Sequence, residues 1–335
     1  MMTAIRKIAL GLLLFAIAAG ATACSPTPPK PPLTFKTDIQ LPRDTGLPSI
    51  DLLTLDSRNG LLYVSHGSNN ALDIVDTHAE RYIGSVSGLP GIKGIALTSD
   101  PNIVFTSNAS DGTVSVVDIK ALKIVAAIAV GGAPDAIDYD PVHALVVVSL
   151  GSDNHVAFID EKTLKLEGKL TLDGKPELMA VDRQQGQIFL AINDKNKVVQ
   201  IDPVSRSIIK TYSGCDIASP AGLVYDSDNQ RLFVANAISH SANVVSVIDV
   251  LLERCLGSVD IDHSPDQAAF NSHLHHLYVA NAGSNDVSVI DTVSLKPLGI
   301  VGTGREAGTI AADPTTDKVA VAATRAGIIA IYHDP

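Results

Sequence analysis

From Leu277 the chain reads Leu-Tyr-Val-Ala-Asn, then a short polar turn, then Val-Ser-Val-Ile-Asp291. An apolar run, a Gly/Asn/Asp turn and an alternating run predict a β-hairpin. The pattern recurs along the chain. Its closing Asp stands at Asp76, Asp118, Asp160, Asp202, Asp249 and Asp291, with His333 in the seventh place, at intervals of 42, 42, 42, 47, 42 and 42 residues. A fixed period of this length marks stacked supersecondary units, and it holds four strands with their turns. In the sixth unit these strands, a to d, are predicted at Gln267–Phe270, Leu277–Ala280, Val287–Ile290 and Pro297–Val301.

Three columns of the repeat sharpen the prediction. The third residue of strand b is always small: Ser65, Ser107, Ser149, Ala191, Ala235, Ala280 and Ala322. The residue before the closing Asp is always large and apolar: Val75, Val117, Ile159, Ile201, Ile248, Ile290 and Tyr332. Four residues before the Asp stand Leu72, Val114, Val156, Val198, Val245, Val287 and Ile329, again all apolar. Such alternation belongs to strands and not to a helical solenoid, which needs a 3.6-residue period. The expected fold is all-β, a seven-bladed β-propeller of four-stranded antiparallel blades. The seventh unit has no strand d of its own, whereas Phe35–Leu41 is a strand without a, b or c before it. It is expected to complete the last blade and close the ring, hiding two sheet edges.

Tyr278-Val279-Ala280-Asn281, Phe233-Val234-Ala235-Asn236 and Phe105-Thr106-Ser107-Asn108 are each followed by a V-S-V-[IV]-D run. These segments resemble the YVTN-repeat propellers, YncE-like proteins among them. The likeness departs at Leu150, Ile192 and Ala323, where the Asn is lost. It implies an exported seven-bladed ring and little about a ligand.

Residues 1–23 read as a leader: Arg6 and Lys7, an apolar run from Ile8 to Ala19, and Ala21-Thr22-Ala23 before Cys24. A cysteine at that place resembles a bacterial lipoprotein signal, departing at Ala21, where Leu is usual. The resemblance implies lipidation of Cys24 and, with Ser25 next, an outer-membrane anchor in a Gram-negative host. An ordinary secreted protein with an incidental cysteine is the alternative. Residues 24–34 carry five prolines and form a semi-rigid spacer, so the propeller itself spans 35–335. Loss of the leader leaves 23 basic against 36 acidic side chains, a net charge near −13. That balance argues against nucleic acid and against binding to anionic lipid beyond the anchor itself. The repeat places Cys215 and Cys255 at opposite ends of outer strands in neighbouring blades, which argues against a bond.

If strand a starts at the top, the b–c and d–a loops share the top face, where ligands of ring folds meet converging loops. The position opening strand a reads Asp51, Lys93, Asp135, Glu177, Ala221, Asp266 and Gly308. Four carboxylates and a lysine would ring the channel mouth, either as a hydrated channel or as a site for a cationic ligand or Ca²⁺ held by Asp135, Glu177 and Asp266. The two length variations, around Gly214–Pro220 and Ala237–Asn243, fall on the top face beside Asn236, His240 and His263. They are either a recognition rim or ordinary loop drift. On the bottom face, His273-Leu274-His275-His276 is either a transition-metal turn or a solvated surface.

There is no Trp, no C-x-x-C-H, no G-x-S-x-G and no H-E-x-x-H, which removes c-type haem attachment and the familiar hydrolase motifs. No cofactor is called for beyond the possible Ca²⁺. The leading expectation is a non-enzymatic, lipid-anchored, monomeric envelope module that binds a protein, glycan or small ligand by its top face. The rivals are a lactonase- or lyase-like propeller enzyme using the acidic ring with His66, and a redox accessory protein holding a non-covalent tetrapyrrole.

Overall fold

The computed structural model describes residues 31–237 and 243–335. Cys24, the leader, the spacer up to Lys30 and His240 lie outside the described residues. Seven four-stranded sheets form the fold, and six of them use consecutive strands. Blade one, for example, is Ile50–Asp56, Leu61–His66, Ala71–Asp76 and Arg81–Ser87. In the seventh sheet, Thr34–Gln40 pairs antiparallel with Ile328–His333, from Thr34 opposite His333 to Gln40 opposite Ile328. The closing strand therefore sits as expected, one residue earlier in its bounds. Leu41 leaves the ladder and is buried.

The core lies between blades rather than within them. Seven apolar clusters each join two neighbouring sheets: Ile39 and Leu41 of the closing strand meet Ile50, Leu53 and Leu62 of blade one, and the other junctions follow suit. This explains the strand b column, whose seven small residues are all buried. Ser107 shows why bulk is refused there, since its hydroxyl meets the backbone oxygen of Asp135 in the next blade.

The closing Asp is a turn residue. Oδ1 of Asp76 accepts the N–H groups of His78 and Ala79 at 2.9 and 2.8 Å, and Asp202 does the same for Val204 and Ser205. Such Asx turns replace backbone partners that a tight reversal leaves unpaired. In Asp160 and Asp291 these N–H bonds, from Thr163 and Ser294 above all, hold the carboxyl below its usual range. The residue that ends each turn is left-handed without being glycine: Glu80, Leu122, Leu164, Arg206, Glu253 and Leu295 have φ between 51° and 56°.

Loops fall on the predicted ends. Backbone bonds join b–c to d–a loops on one side (Ser68 N–H to Ser49 O, Ala109 N–H to Gly91 O, Asn193 N–H to Lys175 O) and c–d to a–b turns on the other (Thr77 N–H to Gly60 O, Thr292 N–H to His275 O).

One expectation is overturned. Cys215 and Cys255 are bonded, with Cα atoms 5.5 Å apart. Cys215 belongs to the lengthened d–a loop and not to the strand end. Cys215 and Asp216 are both left-handed, and the loop drops onto the outer strand of blade five. There Ser258 Oγ donates to Asp216 at 2.8 Å, and Cys215 Sγ lies 3.6 Å from Val247 O on the adjoining strand c. Counting repeat positions misplaced Cys215 because the extra residues change the path of the loop.

Candidate functional site

Asp51, Lys93, Asp135, Glu177 and Asp266 are each the second residue of strand a in its blade. In each case the pairing with strand b breaks register there, between Ile50 and Leu53, Ile92 and Ile95, Pro134 and Ile137, Pro176 and Met179, and Pro265 and Ala268. A bulge re-aims a side chain, and here the same bulge is repeated around the axis. The five groups feel one another's charge as one cluster.

Two of the four carboxylates have cationic partners. Lys93 Nζ lies 3.0 Å from Asp51 Oδ1, and Lys175, absent from the sequence expectation, lies 2.5 Å from Glu177 Oε1. Burial works against the charge of Lys93, but Asp51 outweighs it and raises the lysine. Asp135 and Asp266 form none of the salt bridges among the described residues. Burial, then repulsion from Asp51, pushes Asp135 up to about 6. Partial desolvation in the mouth, then crowding against Asp51, Glu177 and Asp135, raises Asp266 as well, although it stands exposed. Asp266 reaches the water of the mouth, so screening softens the repulsion it feels. Among the described residues no three His, Cys, Asp or Glu side chains converge as a metal-ligand set, so Asp135, Glu177 and Asp266 form a charged mouth but no preformed Ca²⁺ cage.

Below the mouth is a channel cavity of about 250 Å³ whose walls include Leu52, Thr54, Ile95, Ala136, Met179 and Leu223. Gln267 reaches from blade six to blade one, donating to Leu53 O at 3.1 Å and accepting the Ile310 N–H at 3.1 Å. Arg183 and Asp138 pair at 2.8 Å on the channel wall.

The other candidates separate from the mouth. His66 is fully buried, with Nδ1 2.6 Å from Asp73 Oδ2 and Nε2 3.0 Å from Asp44 Oδ1. Burial alone would lower the imidazole, but the bonds to Asp73 and Asp44 prevail and raise it. Both ring nitrogens are occupied, so His66 is not the acid–base group an enzyme at the mouth would need. Asn236 is equally sealed: its Nδ2 donates to Val234 O, Val244 O and Ser246 Oγ, and its Oδ1 accepts the Ala218 N–H. It braces two top loops instead of offering itself to a ligand. His263 does stand exposed on the top face, 3.7 Å from Asp262. The bottom histidines part company, His273 pairing with Asp317 and His276 with Asp334, so the turn fastens blade six to blade seven.

A signal for the His66 network was present in the repeat. Asp73 occupies the strand c position held by Ser115, Ser246 and Ser288, which receive the amides of Asn108, Asn236 and Asn281. Where the Asn is lost the partner is apolar too: Leu150 with Ala157, Ile192 with Val199, and Ala323 with Ala330.

This architecture defines a seven-bladed β-propeller. No protein-family model matches the chain, and no curated protein matches it in sequence. Among solved structures it is similar to the hydrazine synthase of Kuenenia stuttgartiensis, with a TM-score of 0.78 at 17% identity, over 86% of this chain and 96% of that one. At that identity the likeness concerns the fold alone.

Proposed function

We propose that the chain is a lipid-anchored binding module of the cell envelope, of the YVTN-repeat type, that receives a cationic group of a partner at the top of its channel. The carrying observation is the mouth itself: four carboxylates and Lys93 meet at repeated bulges, Lys175 joins them from the residue before its strand a, and among the described residues Asp135 and Asp266 form no salt bridge. A protonated amine or guanidinium, on a protein, a glycan or a small ligand, complements that charge. The Cys215–Cys255 bond supports export, because such bonds persist in oxidising compartments. Anchoring rests on the Cys24 signal, and outer-membrane placement rests on Ser25. The enzyme reading rested on the acidic ring together with His66, and the sealing of His66 leaves it the ring alone.

The test is calorimetric titration of the purified chain with a tetralysine peptide. Binding is expected at pH 7.5 and weakened about tenfold at pH 5. Asp135 is pushed up to about 6 and Asp266 is raised in the same sense, so the charge of the mouth is present above that pH and reduced below it. The Asp135→Asn/Asp266→Asn variant should bind weakly at both values. Equal affinity for wild type and variant at pH 7.5, or none in wild type, would remove the proposal.

A further inference from the structure

The junction between blades six and seven differs from the others. In the other six junctions a residue at or just past the end of strand d is buried in the wedge between blades: Leu41, Leu89, Val130, Leu172 and Ile261, with Ile217 serving in the lengthened loop. At the sixth junction that position is Thr303, which is only half-buried and whose hydroxyl donates to Asn285 O at 2.7 Å. The facing column positions of blade seven are Ala323 and Ala330. The blade three–four junction fills the same three places with Leu172, Ile192 and Val199, all buried together. Thr, Ala and Ala therefore stand where the blade three–four junction packs Leu, Ile and Val, and the buried Leu33 and Ala307 supply only part of the difference.

The missing volume is not closed by collapse. A cavity of about 530 Å³ remains, walled by Leu33, Phe35, Ile300, Val321, Ala330 and Tyr332 among others. That size suits a small ligand with an apolar body. Its polar end lies among the top-face loops at Arg305 and Glu306. A second cavity of about 320 Å³ shares Arg305, Glu306 and Ala323 with it and adds Arg325. Arg305 Nη1 bonds Asp38 at 2.7 Å, which uses one of its five N–H donors. Arg325 stands 3.8 Å from Glu306 and is largely exposed. One end of the chamber is thus apolar and the other carries two guanidiniums, each beside one carboxylate, with N–H donors of Arg305 left over after its bond to Asp38.

We infer that the wedge between blades six and seven is a binding site for an amphipathic carboxylate, its apolar body replacing the side chains that Thr303, Ala323 and Ala330 lack and its carboxylate meeting Arg305. The site is separate from the acidic mouth and does not depend on the function proposed for it.

The experiment uses dodecanoate and, as its uncharged counterpart, dodecanol, titrated into the purified chain. Dodecanoate should bind saturably to the wild type. The Ala323→Ile/Ala330→Val variant should keep the wild-type circular dichroism and unfolding temperature, since blade four already packs Ile192 and Val199 at these positions, and it should lose binding of both probes. Arg305→Gln should weaken dodecanoate about tenfold and leave dodecanol unchanged. No binding to the wild type, or binding unaltered in the folded Ile/Val variant, overturns the site. Equal loss of both probes in Arg305→Gln, or no loss of dodecanoate, overturns the carboxylate assignment.

Discussion

His66 holds the column position that blades two, five and six give to asparagine, and its partner changes with it. Amide to hydroxyl becomes imidazole to carboxylate. The exchange extends the network: Ser85 donates to the far oxygen of Asp73, and Ser68 and His66 both bond Asp44 in the segment that leads from the closing strand into blade one. Removing one member of a buried charged network leaves the others desolvated without a partner. His66→Asn should therefore cost about 3 kcal/mol, and adding Asp73→Ser, which rebuilds the Asn–Ser pair of blade two, should recover most of it. Urea unfolding of the single and double variants measures this. The wild-type contribution has a defined pH sense. His66 is raised above the ordinary imidazole value of about 6.5, so the folded chain binds its proton more tightly than the unfolded one. The stabilisation is fully present below about pH 6.5 and is lost as pH rises through the higher folded value. A clamp that instead strengthened above pH 7 would contradict this account.

At the scale of elements, strands and turns follow from local pattern. Strands b and c are covered on both faces by neighbouring blades and read as apolar runs, while the turns carry Asx residues at fixed places. The loops that depart from the repeat obey other rules. Gly214–Pro220 is two residues longer than its counterparts, and those residues carry Cys215 down to the outer strand of blade five. A disulfide there closes a loop between residues 40 apart in sequence. Its loss in the Cys215→Ser/Cys255→Ser variant should destabilise the chain by about 2–4 kcal/mol and speed amide exchange at Ile217 and Ala218. Thermal unfolding with and without reductant, compared with that variant, checks both. No shift on reduction of the wild type would show that the bond does not hold the loop.

For the whole molecule the decisive contact is between the two ends of the described chain. Thr34–Gln40 covers the outer edge of Ile328–His333, and Ile39 and Leu41 join the core shared by blades seven and one. Deleting residues 34–40 would expose a long apolar strand edge, which invites pairing between chains. The expected result is self-association in size-exclusion chromatography and broad, non-cooperative unfolding. A monomeric deletion variant with a sharp transition would mean that ring closure contributes little. The tie is reinforced where Tyr278 and His276 of blade six both bond the Asp334 carboxylate at 2.7 Å.

The number of blades, their strands, the identity of the closing strand and the sharing of loops between two faces were all determined by the sequence. Each of these follows from a period and from which positions must be small or apolar, and burial imposes that constraint locally and identically in every blade. The tertiary structure alone decided the Cys215–Cys255 bond, the sealing of His66 and Asn236, the Lys175–Glu177 pair at the mouth and the chamber between blades six and seven. Those features depend on where an irregular loop travels and on what three distant residues fail to fill. A periodic pattern carries no information about either.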